Sequence, residues 1–363
     1  MPLSAAPPCL HDDSLRLLSL ADLRRDDPDT LPLGVGPQRI ADAAALAHWL
    51  AEHHDWVQTA LHRHGAVLFR GFAAVDAPQF EAVARAIAPG LQSQYLGTSP
   101  RVNLTPYVFT ASELPGFYPI PQHAEMSFLA EPPRQLFFCA LQAPAQHGET
   151  PICDLRAVWR ALDPAVRDRF DRLGLRIIRN YAGPDAAQRD LWQLKRWDQI
   201  FGTTDRDDVQ TICAREGFAA TWGDQGQLTL TSHQPAARAH PETAEMAWLN
   251  HSQVFHLLAG PEELRRIATW RPGLRSIATW LYAETAIALR RLRTADHQQP
   301  MHCTYGDGSP IRRGDLAHVL DVVWRHLVVI PWQTGDMLAL DNRLVSHGRL
   351  PYRGPRTVAV AFA

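Results

Sequence analysis

Four short apolar runs, at residues 66–70 (AVLFR), 135–141 (QLFFCAL), 337–340 (MLAL) and 357–363 (TVAVAFA), constrain this chain most. Each is too short for a stable helix, and continuous apolar residues bounded by turn signals read as buried strands. Gly65 and Gly71 bracket the first, while Pro331-Trp-Gln-Thr-Gly-Asp336 and Asp341-Asn342 bracket the third. Helical spacing fills the ground between them. Ala43, Leu46, Trp49, Leu50, Val57 and Leu61 recur on one face over 40–62, a second helix is predicted over 77–87 up to Pro89-Gly90, and a third over 154–172 is broken by Pro164. Short strands at both ends with helices in front predict a mainly β fold with α decoration, a β-sandwich barrel.

No linker or internal repeat divides the sequence, so 1–363 is expected to form a single domain. Residues 1–40 read as an irregular lead-in. The segment 101–121, interrupted by Pro and Gly, reads as a long loop delivering the chain to His123. Residues 185–275 mix Trp192, Trp197, Trp222 and Trp248 with charged residues and turn signals, and are expected to form an insertion of strands and short helices that works as a lid.

A chain of 363 residues with 46% hydrophobic content buries a large core, which excludes disorder as its main state. With 36 basic against 38 acidic residues and no like-charge block, nothing tracks a phosphate backbone, and no nucleic-acid partner is expected. No run of eighteen apolar residues occurs, and the opening MPLSAAPPCLHDDSLRLL lacks the pattern of a secretory signal, so a cytoplasmic protein without a membrane partner is expected. Cys9, Cys139, Cys153, Cys213 and Cys303 are odd in number and widely spaced, which predicts reduced, mostly buried thiols.

The candidate chemistry begins at His123-Ala124-Glu125. An iron that must bind a cosubstrate and oxygen needs its protein ligands on one face, and two imidazoles with one carboxylate provide this. In extended backbone, residues one apart project to the same side, so His123 and Glu125 form a two-pronged clip. The pattern H-x-[DE] is weak in a chain with 17 histidines, and it recurs, among other places, at His11-Asp12-Asp13 and His240-Pro241-Glu242. The first of these lies in the lead-in, and the second reads as a loop with solvated side chains. The clip at 123–125 precedes the apolar run 135–141, which anchors it. A third ligand should come from far along the chain, and His347, between the last two predicted strands, fits that need.

These residues carry a resemblance. HAEMSF at 123–128, HGETPICD at 147–154 and DNRLVSHGRLPYRGPRTVAVAF at 341–362 resemble the taurine dioxygenase/clavaminate synthase superfamily of Fe(II)/2-oxoglutarate-dependent oxygenases. RHGAVLFRGF at 63–72, RNYAG at 179–183, FGTTDR at 201–206, YGDGSPIRR at 305–313 and PWQTGD at 331–336 extend it in order. Within that superfamily the chain resembles the branch like the syringomycin-pathway aspartyl hydroxylase. The resemblance implies a double-stranded β-helix (jelly roll) core with flanking helices and a long insertion. It implies a facial triad of His123, Glu125 and His347 holding Fe(II). It also implies that Thr150 and Arg356 grip the distal carboxylate of 2-oxoglutarate, a task to which a planar guanidinium is suited. Oxygen would be the second cosubstrate, and succinate and carbon dioxide would leave.

Two departures narrow the chemistry. Taurine-type enzymes carry a further arginine four residues beyond the cosubstrate arginine; here that position is Val360, which argues against a sulfonate gripped in that way. Related halogenases replace the carboxylate ligand by a small residue, so the retained Glu125 favours hydroxylation or desaturation. The branch implies an amino-acid substrate, free or held on a carrier protein, in a nonribosomal peptide or related pathway. From the residues alone two alternatives stay open: a zinc-dependent hydrolase with the same His, Glu and His, and a non-catalytic barrel that only binds a partner.

Overall fold

The computed structural model describes residues 13–24, 31–97, 99, 101–186 and 195–363; Cys9, His11, Asp12 and Trp192 lie outside these. A seven-stranded sheet forms the centre. Its order is Leu15–Leu18, Leu33–Pro37, Ala66–Phe69, Met337–Asp341, Gln135–Gln142, Thr357–Phe362, Phe109–Thr110, and only the second and third strands run parallel. All four apolar runs of the sequence thus become central strands of one sheet. Their continuity follows from burial on both faces. Phe137, Cys139, Met337, Ala339, Ala359 and Ala361 point into a core shared with helices Ala43–Glu52, His54–His64 and Ala77–Ile87. Leu136, Phe138, Leu338, Leu340, Val358 and Val360 point into the other core, toward the rest of the chain.

The helices end where the sequence gives reasons. Asp42 and Asp76 cap their helices by accepting from the N–H groups of Ala45 and Gln79. The segment 40–62 divides at His53 into two helices, the second stopped by Gly65 in a left-handed conformation (φ 75°). A side chain at Gly65 would also strike Val345, so glycine is required there twice over. Pro164, lacking an N–H, splits 154–172 into Leu155–Ala161 and Pro164–Leu173, with Asp163 as the cap between them. Helix Ala77–Ile87 matches its predicted bounds.

A four-stranded antiparallel sheet, Leu327–Val328, Ile152–Asp154, Val345–Arg349, Ile120–His123, packs beside the second core, and a third, Ala219–Trp222, Leu228–Gln234, Leu175–Tyr181, Met301–Tyr305, lies beyond. Part of the lead-in expected to be irregular forms the edge strand Leu15–Leu18 and its neighbour Leu33–Pro37, and the 101–121 loop contributes the opposite edge, Phe109–Thr110. The four described cysteines are buried and free. Among the described residues no helix is long and apolar enough to cross a membrane.

The mainly β jelly-roll core is not found. Helices hold more of the described residues than strands, and each sheet is open: among the described strands, no pairing joins Leu15–Leu18 to Phe109–Thr110, or Leu327–Val328 to Ile120–His123. The fold is mixed α/β. Local patterning specifies where strands form, but curling and closure depend on which strands meet at the edges, and closure needs a continuous staggered ladder that strands of two to five residues do not supply here.

Helix Ala259–Trp270 packs on Arg313–Arg325, and there the Trp324 indole N–H donates to Glu263 Oε2 at 2.8 Å. Burial pushes the Glu263 carboxyl from an ordinary 4.5 up to about 7, opposed in part by that indole and by Arg266 and Arg24. The folded state therefore holds this proton more tightly than the unfolded chain. Protonated Glu263 contributes its full stability below about pH 4.5, and the contribution is lost as pH rises through about 7. Glu263→Gln keeps an acceptor for Trp324 without a charge. We expect it to stabilise the protein at pH 8 by about 2 kcal/mol and to make no difference near pH 4.5, as read by chemical denaturation at the two pH values.

Candidate metal centre

The second sheet does the assembling. Strand Val345–Arg349 runs antiparallel to the edge strand Ile120–His123 in a register that sets His347 directly opposite His123. On its other side it pairs with Ile152–Asp154, His347 facing Ile152. Glu125 is reached differently from the way its spacing suggested. The strand ends at His123, and Glu125 lies in the turn that follows, where Met126 takes a positive φ of 51°. Asn342 holds that turn: its Oδ1 accepts from the Glu125 backbone N–H at 2.7 Å, and its Nδ2 donates to the carbonyls of Glu125 and Pro133 at 3.0 and 2.8 Å.

One ligand atom from each of His123, Glu125 and His347 lies within 4.8 Å of the others, all from buried or half-buried side chains. The imidazole rings of His123 and His347 are 4.3 Å apart by centroid, and His347 Nε2 is 3.9 Å from Glu125 Oε2. His123 Nδ1 lies 2.9 Å from the Pro121 carbonyl, so it carries the proton and Nε2 keeps its lone pair for a metal. Burial drives the pKa of His123 down, and it drives that of His347 well down with help from the nearby His123, Arg101 and His251, so both rings are neutral. Nδ1 of His347 is buried with no hydrogen-bond partner among the described residues. Two neutral imidazoles and one carboxylate fit a divalent metal of the iron type.

Sequence reading missed the groups around these ligands. Arg101, stacked 4.1 Å over the Tyr95 ring, donates to Glu125 Oε2 at 2.6 Å and so balances the carboxylate. Ser127 Oγ and His251 Nδ1 are hydrogen bonded at 2.5 Å, which brings the His251 ring within 5.8 Å of His123. A lone Arg or His carries no metal-ligand spacing, and only the fold reveals that it faces the site.

Thr150 and Arg356 also meet. Arg356 Nη2 is 3.3 Å from Thr150 Oγ1, and its Nε donates to the Gly148 carbonyl at 3.0 Å. The Trp332 indole N–H reaches the same Thr150 oxygen at 3.1 Å. Burial, with Arg349 nearby, lowers the Arg356 pKa to about 10, still cationic at neutral pH. A narrow cavity lined by Leu68, Thr150, Ile152, Trp332 and Leu338 opens beside them, and Ile152 is the residue paired with His347. Val360 is buried in the core of the central sheet.

The H-x-[DE] pattern at His240-Pro241-Glu242 behaves unlike its prediction. His240 is buried rather than solvated. Its Nδ1 accepts from the Thr243 N–H at 3.2 Å, so Nε2 donates to Asp341 Oδ2 at 3.0 Å. That bond also fixes Asp341, the neighbour of Asn342.

A profile described as taurine catabolism dioxygenase TauD, TfdA family, matches residues 29–362. The chain belongs to this family. It is 29% identical over 311 residues to the dapdiamide synthesis protein DdaC of Enterobacter agglomerans, covering 85% of each chain. To a clavaminate synthase-like protein of Arabidopsis thaliana it is 28% identical, covering 85% of this chain and 84% of the relative. The PvcB protein of Pseudomonas aeruginosa shares the fold at 16% identity and a TM-score of 0.54, over 99% of this chain and 95% of that one. Family membership and the two-histidine, one-carboxylate cluster class the chain as an Fe(II)/2-oxoglutarate-dependent dioxygenase.

Asn342 gives a test of how the cluster is held. Asn342→Asp is nearly isosteric but loses the Nδ2 donor that fixes the Glu125 turn. We expect Fe(II) affinity, titrated anaerobically, to fall on the order of tenfold to a hundredfold with cooperative unfolding retained. Unchanged affinity would show that the turn holds Glu125 without Asn342.

Proposed function

We propose that this dioxygenase hydroxylates or desaturates an unactivated C–H bond of a small amino-acid substrate, free or held on a carrier protein, in a biosynthetic pathway. One observation carries the reading: the strand register that sets His347 against His123 with Glu125 in reach. In this reading His123, Glu125 and His347 hold Fe(II) from one side and leave the other side for cosubstrates. Bound iron, with 2-oxoglutarate and O2, supplies the oxidising power, the cosubstrate leaving as succinate and carbon dioxide.

The chain's own residues do the rest. Arg356 holds the distal carboxylate of 2-oxoglutarate by its charge. The Thr150 oxygen already accepts from Trp332 and Arg356, so its own hydrogen is directed outward to a ligand oxygen. Phe138, Met126 and Phe128, buried around the metal ligands, exclude water from the reacting carbon. His251, reaching Ser127 and His123 from within 185–275, supports assigning that segment the role of a cover in a single oxygenase domain.

The resemblance to the syringomycin-pathway type of hydroxylase and the similarity to a dapdiamide synthesis protein support an amino-acid substrate. PvcB, described as an Fe, alpha-ketoglutarate dependent oxygenase from an isonitrile synthetic pathway, supports a biosynthetic setting.

The test is anaerobic loading with Fe(II), addition of 2-oxoglutarate and a panel of amino acids and aminoacyl carrier proteins, then oxygen, scoring succinate and products gaining one oxygen or losing two hydrogens. We expect His347→Ala and Glu125→Ala to cut succinate formation at least about a hundredfold, and Arg356→Met to raise the KM for 2-oxoglutarate by on the order of a hundredfold. Turnover supported by Zn(II) without succinate would replace this reading by the hydrolase.

A further inference from the structure

The four buried arginines among the described residues are treated in three ways: Arg349 is held by the carbonyls of Ser112, Pro115 and Tyr118, Arg179 has neither carbonyl nor carboxylate, and the other two are ion-paired. Arg156 and Arg266, comparably buried, each meet two carboxylates: Asp154 and Glu245 for the first, Glu262 and Asp321 for the second. Arg179 is 2% exposed and has no carboxylate within ion-pair reach among the described residues. It stands on strand Leu175–Tyr181, whose alternate residues Leu175, Ile177 and Tyr181 all face the core. Taking a guanidinium out of water without a counter-charge is costly, and chains retain such an arrangement only where something repays it.

The geometry of the side chain says what is missing. Two rings pack against it, the guanidinium carbon lying 4.2 Å from the Phe128 centroid and 4.6 Å from that of Phe218, with the two rings 6.5 Å from each other. Nη1 donates to the Tyr181 hydroxyl at 3.1 Å. Nε and Nη2 are both buried and have no hydrogen-bond partner among the described residues. Those two atoms form one edge of the guanidinium, with parallel N–H groups spaced to meet the two oxygens of a carboxylate.

The edge belongs to the metal centre's surroundings. Phe128 lies just beyond Glu125, and its ring packs 5.2 Å from His251, the residue hydrogen bonded to Ser127 and set edge-on to His123 at 5.8 Å. Arg356, by contrast, faces Thr150 and Gly148. We infer that the Nε and Nη2 edge of Arg179 receives a carboxylate of the substrate, so that the molecule oxidised is an anion gripped from the third sheet and not from the last strand. This rests on the dioxygenase reading and deepens it. Val360, where an arginine on the last strand would stand, leaves that grip to be supplied elsewhere.

The test uses protein loaded with Mn(II) and 2-oxoglutarate, so that the Arg356 site is filled and no turnover occurs. Probes are amino acids and short carboxylic acids, each paired with its primary amide, followed by calorimetry and thermal melting. We expect acids from the panel to bind at least about tenfold more tightly than their amides. Arg179→Met should abolish the difference while 2-oxoglutarate still binds, and Arg179→Lys should restore only part of it, because an ammonium cannot offer the paired edge. Without any probe, Arg179→Met should melt no lower than the parent, since it removes an uncompensated charge; a purely structural arginine would give a clear loss.

Equal binding of acids and amides, binding of neither, or loss of 2-oxoglutarate affinity in Arg179→Met would overturn the inference. So would chloride or phosphate competing as strongly as the organic acids, which marks an adventitious anion site only. Failure of 2-oxoglutarate to bind the parent while the acid preference persists would instead sink the cosubstrate assignment and leave the Arg179 site standing.

Discussion

The backbone pairing of strand Val345–Arg349 with strand Ile120–His123 is the contact on which the site depends. Two histidines far apart in sequence become cross-strand neighbours, and a slip by one residue would turn His347 to the opposite face of its sheet. Several features hold that register. Ser346 donates to the Gln122 side chain, Gly348 donates through its backbone to Pro151, and Val345 packs against Gly65 where no larger residue fits. Arg349 then binds the carbonyls of Ser112, Pro115 and Tyr118, tying the loop that leads into His123 to the strand that carries His347.

Around this pairing several buried polar groups have defined partners. Asn342 meets both the N–H and the carbonyl of Glu125, His240 meets Asp341, and Arg70 meets Asp336 through two hydrogen bonds. Satisfied buried networks fix one arrangement, because any other leaves charges or amides unpaired. Against that background the Nε and Nη2 edge of Arg179 is among the buried polar atoms that find no partner among the described residues.

Much of the site was legible in the sequence because its chemistry lies in short motifs. His123, Glu125, His347, Thr150 and Arg356 were identified by spacing and resemblance, and the fold brings the three candidate ligands together and sets Thr150 against Arg356. Arg101 and His251 were not singled out, since an isolated arginine or histidine has no local signature of its role, and Asn342 and Arg179 stood inside motifs without a role assigned to them. The strands at 66–70, 135–141, 337–340 and 357–363 were legible for a different reason: continuous apolar runs of that length suit only a strand buried on both faces. The jelly-roll architecture was a misreading, as the same strands lie in an open sheet with helices against it.

By itself, then, the sequence pointed to the residues that could hold a metal, to the central buried strands and to the helices over 77–87 and around Pro164, because each of these is decided by neighbours within a few residues: apolar period, capping side chain, proline or glycine. Tertiary structure alone decided that the sheets stay open, that Glu125 reaches the site from a turn and not a strand, and that one arginine packs against two phenylalanines without an acid. Those outcomes depend on pairings and contacts between segments far apart in the chain, whose energies no local pattern encodes.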